Sequence, residues 1–312
     1  MSVSVVVGPT ASGKSALAVA LCRRLAELGH PAEVINADSM QLYRGMDVGT
    51  AKITPAEQRN VPHHLLDVLD VTAPATVAEF QEWSRAAIAG CRERGVVPVV
   101  VGGSSLYIRA VIDRLEFPGT DADVRARWDA ELDARGPEAL HAVLAERDAE
   151  AAAQILPSNG RRIVRALEVI ELTGEPFAAT LPPYESIYDD VTLIGLDVPR
   201  DVLDERIADR VVQMWADGLV DEVRALVPLG LADGPTASRA LGYRQVLRFI
   251  AGEVTEEEAR AATIAATRAF ARRQDRLFRK DPRIHWLAHD SPTLVEDALA
   301  LVHQGVTGRH LD

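Results

Sequence analysis

The chain has 312 residues, 47% of them hydrophobic, enough to bury a full core in one large domain or two of moderate size. No run approaches about eighteen consecutive apolar residues and Met1-Ser2-Val3-Ser4 carries no basic segment, so the expectation is a cytoplasmic protein without a membrane span or secretory signal. A formal net charge of −12 argues, as an average, against a nonspecific nucleic-acid binder while leaving room for a basic face.

Val3 to Val7 reads as an apolar strand running directly into Gly8-Pro9-Thr10-Ala11-Ser12-Gly13-Lys14-Ser15, and a helical pattern runs out of it. The segment meets G-x(4)-G-K-[ST]. Its glycines let successive N–H groups point inward, and the helix N-terminus adds roughly half a positive charge. Gly8, Pro9, Thr10, Ala11, Ser12, Gly13, Lys14 and Ser15 are therefore read as a cradle for a diphosphate or triphosphate, Lys14 supplying charge and Ser15 a hydroxyl for Mg²⁺. Leu17, Leu21, Leu25 and Leu28 continue at helical spacing to a C-terminal cap at Gly29. Cys22 and Cys91 both fall in helical patterns and have neither the number nor the spacing of a disulfide framework or zinc site, so both read as core thiols.

A second strand, Glu33 to Asn36, delivers Ala37-Asp38-Ser39-Met40-Gln41 at its carboxyl end, the edge where open parallel sheets bind ligands. Asp38 thus lands beside the phosphate loop, with a helix N-cap or turn aspartate as the alternative. Leu42 to Lys52 reads as an ordered loop over the site, in which Arg44 and Lys52 can be plain solvated charges. Val61 to Val68 looks like a further strand; its adjacent His63 and His64 point to opposite faces, are poor joint ligands for one metal, and read as structural. After a helix over 78–91, the run Val96 to Val101 ends in Gly102-Gly103-Ser104, where a phosphate-loop NTPase often has a magnesium-binding aspartate. Either the glycines let a ligand approach the backbone, with Ser104 donating a hydrogen bond, or this is a plain strand-to-helix turn.

From residue 113 to 190 strand signals vanish and three amphipathic helices follow, marked by Val124, Trp128 and Leu132, by Leu140, Val143 and Leu144, and by Ile163, Leu167 and Ile170. Arg161, Arg162 and Arg165 on the third suit either solvent or RNA. Thr192 to Val198 restores a strand, and Pro199 introduces a helix carrying Arg206 and Arg210. Arg210 is the candidate second cation for a diphosphate, with pairing to Asp209 or Glu205 as the alternative. Arg239 to Gln245 combines cations, an aromatic and a glycine. A long helix beginning near Thr255 then carries Arg268, Arg272, Arg276 and Arg279 at i, i+4, i+8 and i+11, reinforced by Arg273, Lys280 and Arg283. Such a stripe in an acidic protein has the length scale of a polyanion. The tail after Asp290 reads as one more helix. The reading is an α/β fold, a P-loop NTPase-like parallel sheet flanked by helices, with core segments 1–112 and 191–312 around an all-helical insertion, 113–190.

GPTASGKS, NADSMQLYRGMDVGTAK, VPHHLLDV, the GG-x-x-LY turn, RRIVRALEVIELTG and LGYRQ together resemble the tRNA dimethylallyltransferases, also called tRNA isopentenyltransferases, from residue 3 to about 287. The resemblance implies transfer of a dimethylallyl group from dimethylallyl diphosphate to N6 of the adenosine beside the anticodon, assisted by Mg²⁺. The tRNA anticodon stem-loop would be the partner of a monomer. It makes Asp38 the base at N6, Thr10 to Ser15 the diphosphate cradle, and Arg210 a diphosphate-binding arginine beside Lys14. Asp38, Ser39, Met40 and Gln41 would touch the target nucleotide. Ser104 stands where the family usually has threonine. Arg125, Arg161, Arg162, Arg165, Arg239, Gly242, Tyr243, Arg244, Arg272, Arg273, Gln274, Arg276 and Arg279 fall on segments that contact tRNA in the family. Ser105, often glycine, and Asp275-Arg276-Leu277-Phe278 depart from its pattern. The competing readings are a small-molecule kinase using the same loop for ATP, a prenyltransferase acting on free adenine nucleotide, and a non-catalytic RNA-binding nucleotide switch.

Overall fold

The computed structural model describes residues 2–178 and 182–307 and divides into two compact units, Met1–Asp113 with Ser186–Asp312, and Arg114–Glu185. Residues 179–181 of the expected insertion and 308–312 of the expected second core segment lie outside the described residues. In chain order the first unit begins with β1 (Val3–Val7), α1 (Lys14–Glu27), β2 (Ala32–Asn36), α2 (Pro55–Gln58), β3 (His63–His64), α3 (Val77–Glu93), β4 (Val97–Gly102) and α4 (Ser105–Ile112). The second unit holds α5 (Ala122–Arg135), α6 (Pro137–Arg147), α7 (Ala149–Gln154) and α8 (Gly160–Thr173). The chain then returns through β5 (Val191–Asp197), α9 (Arg200–Ala216), α10 (Leu219–Leu226), α11 (Tyr243–Ile250), α12 (Glu256–Phe278), β6 (Ile284–Ala288) and α13 (Leu294–Thr307).

The six strands lie in the order β3-β2-β4-β1-β5-β6, every pairing parallel, so their carboxyl ends share one edge. Both faces of the sheet are covered, which is why β1 needs no polar alternation and is buried at all its positions. On one face Val6, Val34, Val99 and Val101 pack with Leu17, Leu21 and Leu25 of α1 and with Leu299 and Val302 of α13. On the other, Val5, Ile35 and Val100 pack with Phe80 and Ile88 of α3 and Ile108 of α4. The period of two along β2 therefore sends Val34 and Asn36 one way and Glu33 and Ile35 the other.

Two expectations change, and one strand, β6, has no counterpart in the sequence reading. The strand expected over Val61 to Val68 shrinks to His63–His64, because Leu65 and Asp67 adopt positive φ and end the extended backbone. The insertion has a fourth helix, α7, started by Asp148, whose carboxylate accepts the Ala151 N–H. β6 gives no clear alternation in the sequence because it is an edge strand in which only Ile284 is fully buried. The second unit closes on its own core of Trp128, Leu140, Leu144, Ile163 and Leu167. Cys22 and Cys91 are buried free thiols, pushed up to about 12 and about 11 chiefly by burial.

Candidate active site

Between β1 and α1 the loop takes its bend from Ala11 and Gly13, both at positive φ. Gly8 is needed for close approach, since a Cβ there would stand 2.7 Å from Ser12 Oγ. The N–H groups of Gly13, Lys14 and Ser15 meet no acceptor among the described residues, and Ser12 Oγ is buried without a partner. Of these only the Ser12 hydroxyl is buried, and a buried polar group is rarely left so, whereas the three N–H donors belong to residues open or partly open to solvent. A concave row of unspent donors at a helix N-terminus is an anion site.

Lys14, Ser15, Asn36, Asp38, Gln41 and Arg210 line one pocket at the carboxyl edge of the sheet. Asp38 is held there by Asn36, buried at the end of β2, whose amide donates to the Asp38 and Leu65 carbonyls and accepts the Asp38 N–H at 3.0 Å. Asp38 Oδ1 accepts the Met40 N–H at 2.9 Å, so the turn-aspartate role is real, while Oδ2 engages no donor among the described residues. The two readings of Asp38 thus occupy different oxygens. Burial pushes the Lys14 ammonium down to about 8, Arg210 adding to the fall and the Asp38 charge opposing it. An anion bound to the loop favours the charged form, so binding takes up a proton. Diphosphate affinity is expected to fall by up to about tenfold per pH unit above pH 8, as titration calorimetry in buffers of different ionisation enthalpy would measure.

The segment over the site is locked rather than solvated. Lys52, nearly buried, donates to the Tyr43 carbonyl at 2.7 Å and to Asp47 and Asp67 at 2.6 and 2.5 Å. Gln41 donates to the carbonyls of Thr50 and Ala51. Arg44, expected as a plain solvated charge, makes an exposed pair with Asp70 and donates to the Val68 carbonyl at 3.4 Å. Sequence reasoning missed Glu222 of α10, whose carboxylate accepts the N–H groups of Asp47, Val48 and Gly49 at 3.0, 2.7 and 3.2 Å and the Tyr243 hydroxyl at 2.5 Å. No local signal marks it, since its loop partners lie about 175 residues away in the chain.

Tyr243 and Gly242, expected at the RNA face, are both buried instead; the Tyr243 ring lies under Gly49, where a Cβ would stand 2.5 Å from it. Gln274, also expected there, is buried and accepts the Thr10 N–H at 2.9 Å, tying α12 to the phosphate loop. The glycine turn serves packing, because a Cβ on Gly102 would meet the Ala37 carbonyl at 2.6 Å and one on Gly103 the Gln274 amide at 2.5 Å. Ser104 caps α4, its hydroxyl facing the Tyr107 N–H. Ser39 lies beside the Tyr107 hydroxyl.

The arginines divide in two groups. Arg239, Arg244, Arg272, Arg273 and Arg276 make no ion pair among the described residues, and Arg244, Arg272 and Arg273 are the candidates that lie along α11 and α12 with Arg276. Arg268 is spent on the Asp204 carbonyl, Arg279 pairs with Asp197 and Asp275 and covers Trp286, and Arg283 pairs with buried Asp113 and Asp281. In the second unit, Arg125 and Arg165 converge on buried Glu168 at 2.5 and 2.7 Å, while Arg161 and Arg162 stay exposed. The two guanidinium groups offset the cost of burying that carboxylate.

A parallel sheet whose first strand feeds a phosphate loop, with two cations and a carboxylate on one pocket, defines a phosphate-loop α/β enzyme site. The family model described as IPP transferase matches residues 41–281. Curated relatives named tRNA dimethylallyltransferase include those of Thermobifida fusca, 65% identical over 96% of this chain and 94% of the relative, and Streptomyces avermitilis, 61% identical over 97% and 96%. The crystal structure of a tRNA isopentenylpyrophosphate transferase from Bacillus halodurans is 38% identical, covers 99% of both chains and superposes with a TM-score of 0.72. A eukaryotic dimethylallyltransferase acting on tRNA, 23% identical, shares the fold with a TM-score of 0.82 over 98% of this chain and 80% of its own. The chain belongs to the IPP transferase family, and it is a prenyl-transferring enzyme.

Proposed function

We propose that the protein moves the dimethylallyl group of dimethylallyl diphosphate to N6 of the adenosine beside a tRNA anticodon, releasing diphosphate. One observation carries this reading: the free oxygen of Asp38 belongs to the same pocket as Lys14, Ser15 and Arg210. The N6 lone pair forms a bond to C1 of the allyl group, the C1–O bond breaks, and its electron pair leaves with the diphosphate. Asp38 Oδ2 takes the proton from N6. Lys14, Arg210 and the unspent loop N–H groups stabilise the charge that grows on the leaving oxygen.

The residues present suit Mg²⁺ bound with several waters: Ser15 offers a hydroxyl with no partner among the described residues at the first turn of α1. Mg²⁺, when bound there, supplies charge neutralisation on the diphosphate. The adenine leaves the anticodon-loop stack to reach the pocket, a modest cost for an unpaired base.

Arg239, Arg244, Arg272, Arg273 and Arg276 are the candidate phosphate-binding residues in the first unit, with Arg161 and Arg162 in the second. Arg272→Ala with Arg276→Ala is expected to weaken tRNA binding and to flatten its dependence on log salt, the slope falling by about one for each phosphate left unneutralised. Filter binding across a salt series checks it, and an unchanged slope removes both residues from the interface. The reaction itself is tested with unmodified tRNA, dimethylallyl diphosphate and Mg²⁺, looking for a prenylated adenosine by mass spectrometry. Absence of that product, together with phosphate transfer from ATP to a small molecule, would establish the kinase reading instead.

A further inference from the structure

Glu33 on β2, His64 on β3 and Cys91 on α3 meet on the sheet face that α3 covers, opposite the one that sends Val34 and Asn36 into the phosphate pocket. Glu33 Oε2 lies 2.7 Å from His64 Nε2 and 3.4 Å from Cys91 Sγ, and Sγ lies 3.8 Å from Nε2. Each residue brings a ligand atom, and all three atoms fall within 4.8 Å of one another. Cys91 is fully buried, and the side chains of Glu33 and His64 are 15% and 31% exposed.

A tetrahedral ion with bonds of about 2.3 Å to sulfur and about 2.0–2.1 Å to nitrogen and oxygen sets its ligand atoms roughly 3.3–3.6 Å apart. The Glu33–Cys91 distance matches that spacing, the His64–Cys91 distance of 3.8 Å must close by about 0.2 Å, and the oxygen–nitrogen pair must open by about 0.6 Å. We infer that Glu33, His64 and Cys91 form a three-ligand site for a zinc-class divalent ion, separate from the transferase pocket. A thiolate and an imidazole select a borderline-soft ion over Mg²⁺, so the two metals do not compete.

Binding releases the Cys91 proton to solvent and forms bonds to Sγ, Nε2 and Oε2. Arg94 now donates to Glu33 Oε2 at 2.5 Å and to Cys91 Sγ at 3.8 Å, so its half-exposed side chain must withdraw from both ligand atoms, to the second carboxylate oxygen or to water, when the ion binds. Water completes the fourth position. The ion would tie a two-residue edge strand to β2 and α3, which the hydrogen bonds of so short a strand hold weakly.

The test is a Co²⁺ titration of the reduced, chelator-stripped full-length protein. The expected result is one equivalent bound, with a thiolate-to-cobalt charge-transfer band in the near ultraviolet and four-coordinate visible bands, displaced by Zn²⁺. Cys91→Ser should lose the near-ultraviolet band while Cys22→Ser keeps it. His64→Gln should weaken Co²⁺ at least about tenfold. Zn²⁺ should raise the melting temperature of the native chain but not of these two ligand variants. No thiolate band in the native chain, or a band that survives Cys91→Ser, overturns the site and leaves a hydrogen-bonded cluster around Arg94. Should Cys91→Ser fail to fold, His64→Gln decides, and Co²⁺ affinity unchanged from the native chain overturns the site.

Discussion

Asp38→Asn is expected to lower kcat by about 10² to 10⁴, the usual contribution of a positioned general base, while tRNA affinity stays within about twofold. Asparagine is the informative substitution. It keeps an oxygen for the Met40 N–H, so the turn after β2 persists, and it removes only the anionic oxygen that faces the pocket. Asp38→Ala would also strip that capping bond, at a cost of about 1 kcal/mol, and mix stability with chemistry. A second signature follows from Lys14, whose charge Asp38 supports against burial. Without that carboxylate charge Lys14 loses its proton at lower pH, so the alkaline limb of donor binding should move downward in Asp38→Asn. Single-turnover rates at saturating donor separate the two effects. A rate within a few fold of the native enzyme would remove Asp38 from the base role.

Glu222→Ala is expected to destabilise the first unit by about 2 kcal/mol and to raise the KM for tRNA, because one carboxylate organises the loop over the pocket. Its two oxygens accept three consecutive backbone N–H groups and the Tyr243 hydroxyl, and no other acceptor replaces them among the described residues. Burial and the Glu222 charge push the Tyr243 hydroxyl up, well above the ordinary tyrosine range, so it stays a donor at every working pH. Tyr243→Phe removes one of the four bonds and should cost about 1 kcal/mol. Calorimetric melting with steady-state kinetics would check both. A Glu222→Ala protein that melts with the native one and keeps its KM would mean that the Lys52 and Gln41 bonds hold the loop without it.

The phosphate loop is fully legible in the residues, since its geometry depends on glycines and a lysine that are neighbours in the chain. Asp38 is legible for a similar reason: a strand period and a parallel sheet dictate which residue reaches the carboxyl edge. The arginines are harder, because helical spacing gives direction and not partner. Arg272, Arg273 and Arg276 stay unpaired on α12 among the described residues, whereas Arg279, only one turn on, is claimed by Asp197 and Trp286 from other segments. The resemblance sets Tyr243 and Gln274 on RNA-contacting segments, yet both are buried against distant parts of the chain, Tyr243 against Gly49 and Gln274 against Thr10.

The sequence by itself determined the strand–loop–helix that carries the G-x(4)-G-K-S pattern, the carboxylate beside it and the family, because each rests on local patterns with a mechanical reason. Only the tertiary structure decided which charges are spent on the fold. Lys52, Glu222, Glu168, Arg125 and Arg165 are engaged by partners that no local window fully contains, and desolvation makes such pairing obligatory wherever the fold buries an ion. The same holds for Glu33, His64 and Cys91, whose spacing in the chain carries no metal signature and whose convergence is set by two strands and a helix.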